Sequence, residues 1–291
     1  MVHSWKKISG AKAPVFAIEA EEAIAAVRKD KRVIDALNRR GIKDIEAVHM
    51  ETWPIGAQIP KYLDDGRRLI WTPMWHRPTT ITGPANHYAH PISNLHAIVD
   101  LDTRSVVEIE DAWPSSFPIP QTPAPFRQNQ TGANLLLQPL SIKQPSGVSF
   151  QVNGWGIIWE RWNLRVGFCQ REGLIIHDVR FDDNGQKRRI AHRLSISELV
   201  IPYGDASQDV YRKNAFDTGE FGLGNYLNSL VLGCDCLGEI HYLDVAVTGA
   251  DGVIRTIRNA ICMHEEDNGL LWKHVDIDAH VEVRRARRFV G

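Results

Sequence analysis

The run WGIIWERWNLRVGFC at Trp155–Cys169, followed by GLIIHDVRF at Gly173–Phe181 and RIAHRLSISELVIPY at Arg189–Tyr203, decides the architecture of this chain. Ile, Val, Trp and Phe fill each run, and these side chains suit a pleated, half-buried surface. Asp183-Asn184-Gly185 stands between the last two runs. It is a strong hairpin signal, because a tight two-residue turn needs positive φ at both central positions and Asn-Gly tolerates that. With VSFQVNG at Val148–Gly154 ahead of them, these runs predict long antiparallel strands of a large β-sandwich.

Upstream the period changes. Ala20, Ile24 and Val27, then Val33, Ile34 and Leu37, recur at three- and four-residue steps, predicting two helices within residues 15–41 with Gly41 as a stop. Extended segments follow at residues 47–53, 68–75, 95–101 and 106–110, the last two flanking a turn at Asp102-Thr103-Arg104. Helices followed by a small antiparallel sheet make an α+β domain over residues 1–111. Residues 112–125 hold Pro114, Pro118, Pro120, Pro123 and Pro125, a density that no regular element survives. Residues 112–146 therefore form a linker or surface arm, and residues 147–291 the start of the sandwich. The terminal stretch from Val281 to Gly291 reads as a strand whose partners are expected to lie beyond it, leaving an open edge.

Bulk composition bounds the function. A chain of 291 residues with a formal net charge of -1 has no global field favouring nucleic acid or an anionic membrane. Its one basic cluster, Arg284 to Arg288, reads as a polar strand face. No apolar run approaches the roughly 18 residues that span a bilayer, and the N-terminus shows no apolar signal core. Four cysteines do not make a disulfide-dense scaffold.

The candidate chemistry lies between Tyr211 and Asp267. Asp217 has Ala215, Phe216, Phe221 and Leu223 around it, with Gly219, Gly222 and Gly224 bending the backbone close by. Such surroundings strip water from a carboxylate and suit it to take and return a proton near neutral pH. A turn-capping Asp accounts for the same residues. Cys234-Asp235-Cys236 and Cys262-Met263-His264 suggest zinc at first sight, but a C-x-C pair is tighter than the spacing structural zinc sites use. One of the pair bonded to Cys262 across a hairpin is the simpler reading, with Cys234 and Cys169 as small buried hydrophobes. His264-Glu265-Glu266-Asp267 lacks the second His of a zinc-protease helix, since position 268 is Asn268. His87, His90 and His96 carry no recognisable ligand spacing, and Ser195 and Ser197 lack a nucleophile elbow.

FDTGEFGLG at Phe216–Gly224, LGCDCLGEIHYLD at Leu232–Asp244 and IRNAICMHEEDNGLLWKH at Ile257–His274 closely resemble segments of the copper-containing amine oxidases of microbial or fungal type. QPSGVSFQVNG at Gln144–Gly154, HRLSISELVIPYGD at His192–Asp205, DGRRL at Asp65–Leu69 and HPISNLHAIVDLDT at His90–Thr103 extend the resemblance over nearly the whole chain. It implies a small α+β domain, similar to the second of that family's N-terminal domains, followed by the first part of its β-sandwich catalytic domain. It also implies the activity: oxidation of a primary amine by O2 to aldehyde, ammonia and hydrogen peroxide through a Schiff base on topaquinone. Asp217 matches the general base of the family's D-x-G-E motif. Ala215 matches the position beside the quinone, and Tyr203 and Trp53 match residues lining the substrate channel. Cys236 and Cys262 match the family's disulfide.

Copper and topaquinone are the cofactors so implied, a small primary amine and O2 the small-molecule partners, and a homodimer the assembly. No nucleic-acid or membrane partner is expected, and a cytoplasmic or peroxisomal setting is expected over a secreted one. The family's Asn-Tyr-Asp/Glu-Tyr motif and its His-x-His copper pair do not occur in these 291 residues, so their place is expected beyond Gly291. The resemblance thus implies a fragment, inactive alone. The alternatives are a non-catalytic remnant serving as a binding or dimerisation module, and a zinc hydrolase built on Cys262, His264 and His274.

Overall fold

The computed structural model describes residues 3–8, 10–12, 15–55, 59–77, 86–112, 118–121, 138, 140–207, 209–249 and 251–291. Most of the Pro-rich arm at 112–146 lies outside the described residues. The chain divides into two compact units, Met1–Leu136 with Leu199–Phe221, and Leu137–Glu198 with Gly222–Gly291. Two helices open it, α1 (Ala17–Lys29) and α2 (Lys31–Arg39). Strands β1 (Val48–Met50), β2 (Trp53–Pro54), β3 (Leu69–Thr72), β4 (Met74–His76), β5 (Leu95–Asp100) and β6 (Ser105–Asp111) follow. Next come β7 (Phe150–Asn153), β8 (Gly156–Trp159), β9 (Trp162–Cys169), β10 (Gly173–Asp183) and β11 (Gln186–Leu194). The last are β12 (Val200–Pro202), β13 (Asn214–Phe216), β14 (His241–Thr248), β15 (Ile254–Val275) and β16 (Val281–Val290).

In the first unit, Asp30 separates the helices and its carboxylate accepts the Arg32 N–H at 2.8 Å, satisfying a donor that the start of α2 leaves open. Gly41 at φ +83° lets the Ile42 N–H fold back onto the Leu37 carbonyl at 3.0 Å, which ends α2. Val27, Val33 and Leu37 are buried as their spacing predicts, with Ala23 and Ala36 beside them. The helices cover an antiparallel sheet of order β2-β3-β5-β6. Every residue of β5 is buried, because alternate side chains enter two different cores. Leu95, Ala97 and Val99 join the helices, whereas Ile98 packs with Leu69, Trp71 and Trp53. Each of the buried Leu, Val and Ile side chains contributes about 1.5–3 kcal/mol.

The antiparallel ribbon β12–β13 returns to this unit late in the sequence. Three anchors hold the segment between its strands. The Arg212 guanidinium, 3% exposed, donates to both carboxylate oxygens of Glu110 on β6 at 2.7 and 2.5 Å. Asp209 accepts the Asn94 N–H at 2.6 Å, and it lies 3.2 Å from Nε2 of buried His96 on β5.

The second unit is built of two sheets. β7 to β11 form a five-stranded meander, and β14-β15-β16 a three-stranded sheet. Ile157 and Val166 from the first meet Val245, Ala260, Ile261 and Met263 from the second in one core, the expected sandwich packing. Asn184 and Gly185, at φ +53° and +90°, make the two-residue turn between β10 and β11. Ser195 and Ser197 fall just beyond the end of β11.

One expectation is corrected here, and the polar strand face expected of the basic cluster is found. β16 pairs antiparallel with β15 from His264↔Val290 to Val275↔Val281, so one edge of the terminal strand finds its partner within the chain. The basic cluster on β16 is engaged across that pairing, Arg285 with Asp267, Arg287 with Glu265 and Arg288 with Glu266.

Glu265 is the buried polar anchor of this unit. Its side chain is 1% exposed. Its carboxylate accepts from the Ser149 N–H at 2.8 Å, Gln144 Nε2 at 2.6 Å and Trp159 Nε1 at 3.0 Å. Burial works against the charge, but these donors outweigh it and hold the carboxyl down at about 2.

Candidate active site

Trp53 on β2 and Tyr203, the residue after β12, are 150 positions apart in sequence. In the first unit their rings meet edge to face, with centroids 6.0 Å apart. β2 packs against β13, which brings Ala215 and the residues after it to the same region. Ala215 pairs with Ile201 across the ribbon and is buried to 2% exposure. Asp217 follows at the end of β13. It opens a single π-helical turn, Asp217–Phe221, and its N–H donates to the Leu199 carbonyl at 3.1 Å. Isolated π turns recur at functional sites because they re-aim a side chain that a regular element would direct elsewhere. The Asp217 side chain is half-buried.

The ribbon also delivers a residue that sequence reading missed. Lys213 lies opposite Tyr203, whose N–H donates to the Lys213 carbonyl at 3.3 Å. Its Nζ stands 4.2 Å from the Trp53 ring centroid and 4.6 Å from that of Tyr203. Burial lowers the Lys213 pKa, and the nearby Glu51 charge opposes the shift. The signal available in sequence was only its place, two positions before Ala215 and just ahead of the strand that carries it.

Glu51 completes this cluster. Oε2 accepts the Trp53 indole N–H at 3.0 Å, and Oε1 accepts from the Tyr88 hydroxyl. Burial raises the Glu51 pKa, but those hydrogen bonds outweigh it and the group is held below the ordinary carboxylate range. The hydrogen bond to Glu51, together with burial and the adjacent charge, pushes the Tyr88 phenol up to about 12. His49 and His87 stand beside Glu51, their ring centroids 3.7 Å apart.

The cysteines lie in the second unit. A disulfide joins Cys236 to Cys262, which pairs with Tyr242 across β14 and β15. This removes the Cys262 thiolate from the zinc reading. His264 is buried with Nε2 3.0 Å from Glu266, and His274 stacks on Trp272. Cys234 is exposed and Cys169 half-buried, not the buried hydrophobes expected, because Cys234 occupies a surface turn. Gly222 and Gly224 also serve packing: a Cβ on Gly224 would lie 2.4 Å from the Cys169 carbonyl oxygen, and one on Gly222 2.7 Å from that of Gln170. No described helix is long and apolar enough to cross a membrane.

Comparison with known proteins gives matches to two family models, "Copper amine oxidase, enzyme domain" over residues 151–290 and "Copper amine oxidase, N3 domain" over residues 18–129. A primary amine oxidase from Arthrobacter sp. (strain P1) is 42% identical over 292 residues, covering 99% of this chain and 44% of the relative. A peroxisomal copper-containing diamine oxidase from Nicotiana tabacum is 41% identical, over 94% of this chain and 36% of its own. Among solved structures, a copper-containing benzylamine oxidase from Hansenula polymorpha superposes with a TM-score of 0.80 at 30% identity, over 98% of this chain and 45% of that one. The chain thus spans less than half the length of these relatives.

Proposed function

Since this chain belongs to the copper amine oxidase family, we propose that it contributes the proton-transfer base and part of the substrate channel to an oxidase of primary amines. The overall reaction converts an amine, O2 and water to aldehyde, ammonia and hydrogen peroxide. Asp217 is the base that takes a proton from the carbon bearing the amine nitrogen. Trp53 and Tyr203 form one wall of the channel, and Ala215 leaves the approach open to small amines. A homodimer is the assembly proposed for the complete protein, and the small domain, Pro-rich arm and sandwich divide at about residues 111 and 147 in this reading, by analogy with the family.

The observation that carries this reading is the meeting of Trp53 and Tyr203 next to the strand that Asp217 follows. Copper and a quinone supply the electron chemistry in the family when bound. Among the described residues, the groups with metal-binding geometry contain no set of three imidazoles. The described residues therefore supply no such set for copper, and no step is derived through it.

The test uses protein purified from its own host, which retains whatever segments accompany these residues there. Amine-dependent peroxide and aldehyde release from methylamine and benzylamine is compared with that of Asp217→Asn. Loss of a general base lowers kcat by about 10²-fold or more, with amine binding retained. Unchanged turnover in the variant would remove Asp217 from the role.

A further inference from the structure

We propose that His49, Glu51 and His87 form a binding site for a divalent transition-metal ion of the zinc class. One ligand atom from each lies within 4.8 Å of the others. Nε2 of His49 and Oε1 of Glu51 are 3.6 Å apart. That is close to the ligand–ligand edge of a zinc tetrahedron, about 3.4 Å for metal–ligand bonds near 2.1 Å.

The backbone explains why the three donors converge. His49 lies on β1, and Glu51 two positions later projects to the same side. His49 pairs with Trp75 on β4, against which the single 3₁₀ turn His87–Ala89 packs. His87 is thereby brought over His49 from a segment 38 positions away in sequence. The donors are pre-set for a cation. Glu51 is held as a carboxylate by Tyr88 and Trp53, both donating to it. Such outer hydrogen bonds orient a ligating carboxylate and hold its charge in place. Two imidazoles and one carboxylate suit zinc, cobalt or copper over magnesium or calcium, which prefer all-oxygen sets. Through Glu51 the ion would be tied to Trp53, and so to the proposed channel wall. The metal site itself stands on the three donors alone and does not depend on the proposed activity.

The experiment titrates EDTA-stripped, dialysed protein with Zn(II) by calorimetry and with Co(II) by visible absorption. One equivalent of Zn(II) and the ligand-field bands of a low-coordinate Co(II) are expected. His49→Gln and His87→Gln are each expected to weaken binding by about tenfold or more and to abolish the bands, with circular dichroism confirming the fold. If either variant fails to fold, Glu51→Gln is read in the same way. Asp276→Asn, at the exposed Asp276–Asp278–His280 group, is expected to bind as the parent does. Absence of saturable Zn(II) binding, its survival in the folded His variants, or its loss in Asp276→Asn would overturn the proposal. The first result would leave Glu51 as an anchor for Trp53 and Tyr88 only.

Discussion

Glu265→Gln is the sharpest single test of how the second unit is held together. The carboxyl is 1% exposed in its side chain and is held at about 2, against an ordinary 4.5. At about 1.4 kcal/mol per pKa unit, the ionised form contributes roughly 3 kcal/mol of stability at neutral pH. Gln is nearly the same size, yet it sets a donor NH2 against donors that now face carboxylate oxygens on both sides. The sign follows from the depressed value: the stability is fully present above 4.5 and is lost as pH falls toward 2. Wild type should therefore exceed the variant by roughly 3 kcal/mol at pH 7 and by roughly 2 kcal/mol at pH 3.5. Urea unfolding followed by circular dichroism at both pH values measures each difference. A gap under about 1 kcal/mol at pH 7 would refute the reasoning, as would a gap that stays constant or widens on acidification.

Further outcomes are expected in the same unit. Replacing Cys236 and Cys262 together by Ser opens a loop with a sequence separation of 26, and the lost constraint on the unfolded chain lowers stability by about 3 kcal/mol, read as a lower urea midpoint; an unchanged midpoint would contradict it. Gly224→Ala drives a methyl onto the Cys169 carbonyl oxygen, which is backbone and cannot swing away. A loss of about 1–3 kcal/mol is expected, whereas Gly154→Ala, whose Cβ meets nothing within 4 Å, is strained only by its φ of +56° and should cost less than Gly224→Ala in a thermal melt.

The parts of the fold legible in sequence were those set by neighbouring residues. Asn184-Gly185 announced its hairpin because the turn's demand for positive φ falls on two adjacent residues. Val27, Val33 and Leu37 showed their helical face by spacing alone. The pairing of β16 with β15 was missed: the terminal stretch read as a strand, but which segment it pairs with depends on which faces find cover. For the candidate site, local pattern yielded Asp217 and left its role open. Trp53 and Tyr203 came from family resemblance, since no periodicity links positions so distant. Lys213 went unnoticed because its meeting with Trp53 depends on the Arg212–Glu110 and Asp209–His96 anchors, which act across about a hundred residues; Glu51 and His49, only two and four positions before Trp53, carried no motif that singled them out.

The late return of Leu199–Phe221 to the first unit sets a timetable for synthesis. When Trp53 leaves the ribosome, its ring partner Tyr203 is still 150 residues from leaving it. At roughly 5–20 residues per second, that is a wait of about 8–30 s. In its later part, once β5 and β6 have emerged, the nascent helix-covered sheet carries Trp53, Glu110 and His96 without the ribbon that engages them. Chaperone occupancy on ribosome-bound chains should be highest in this window, and should drop once Arg212 and the strand after it emerge.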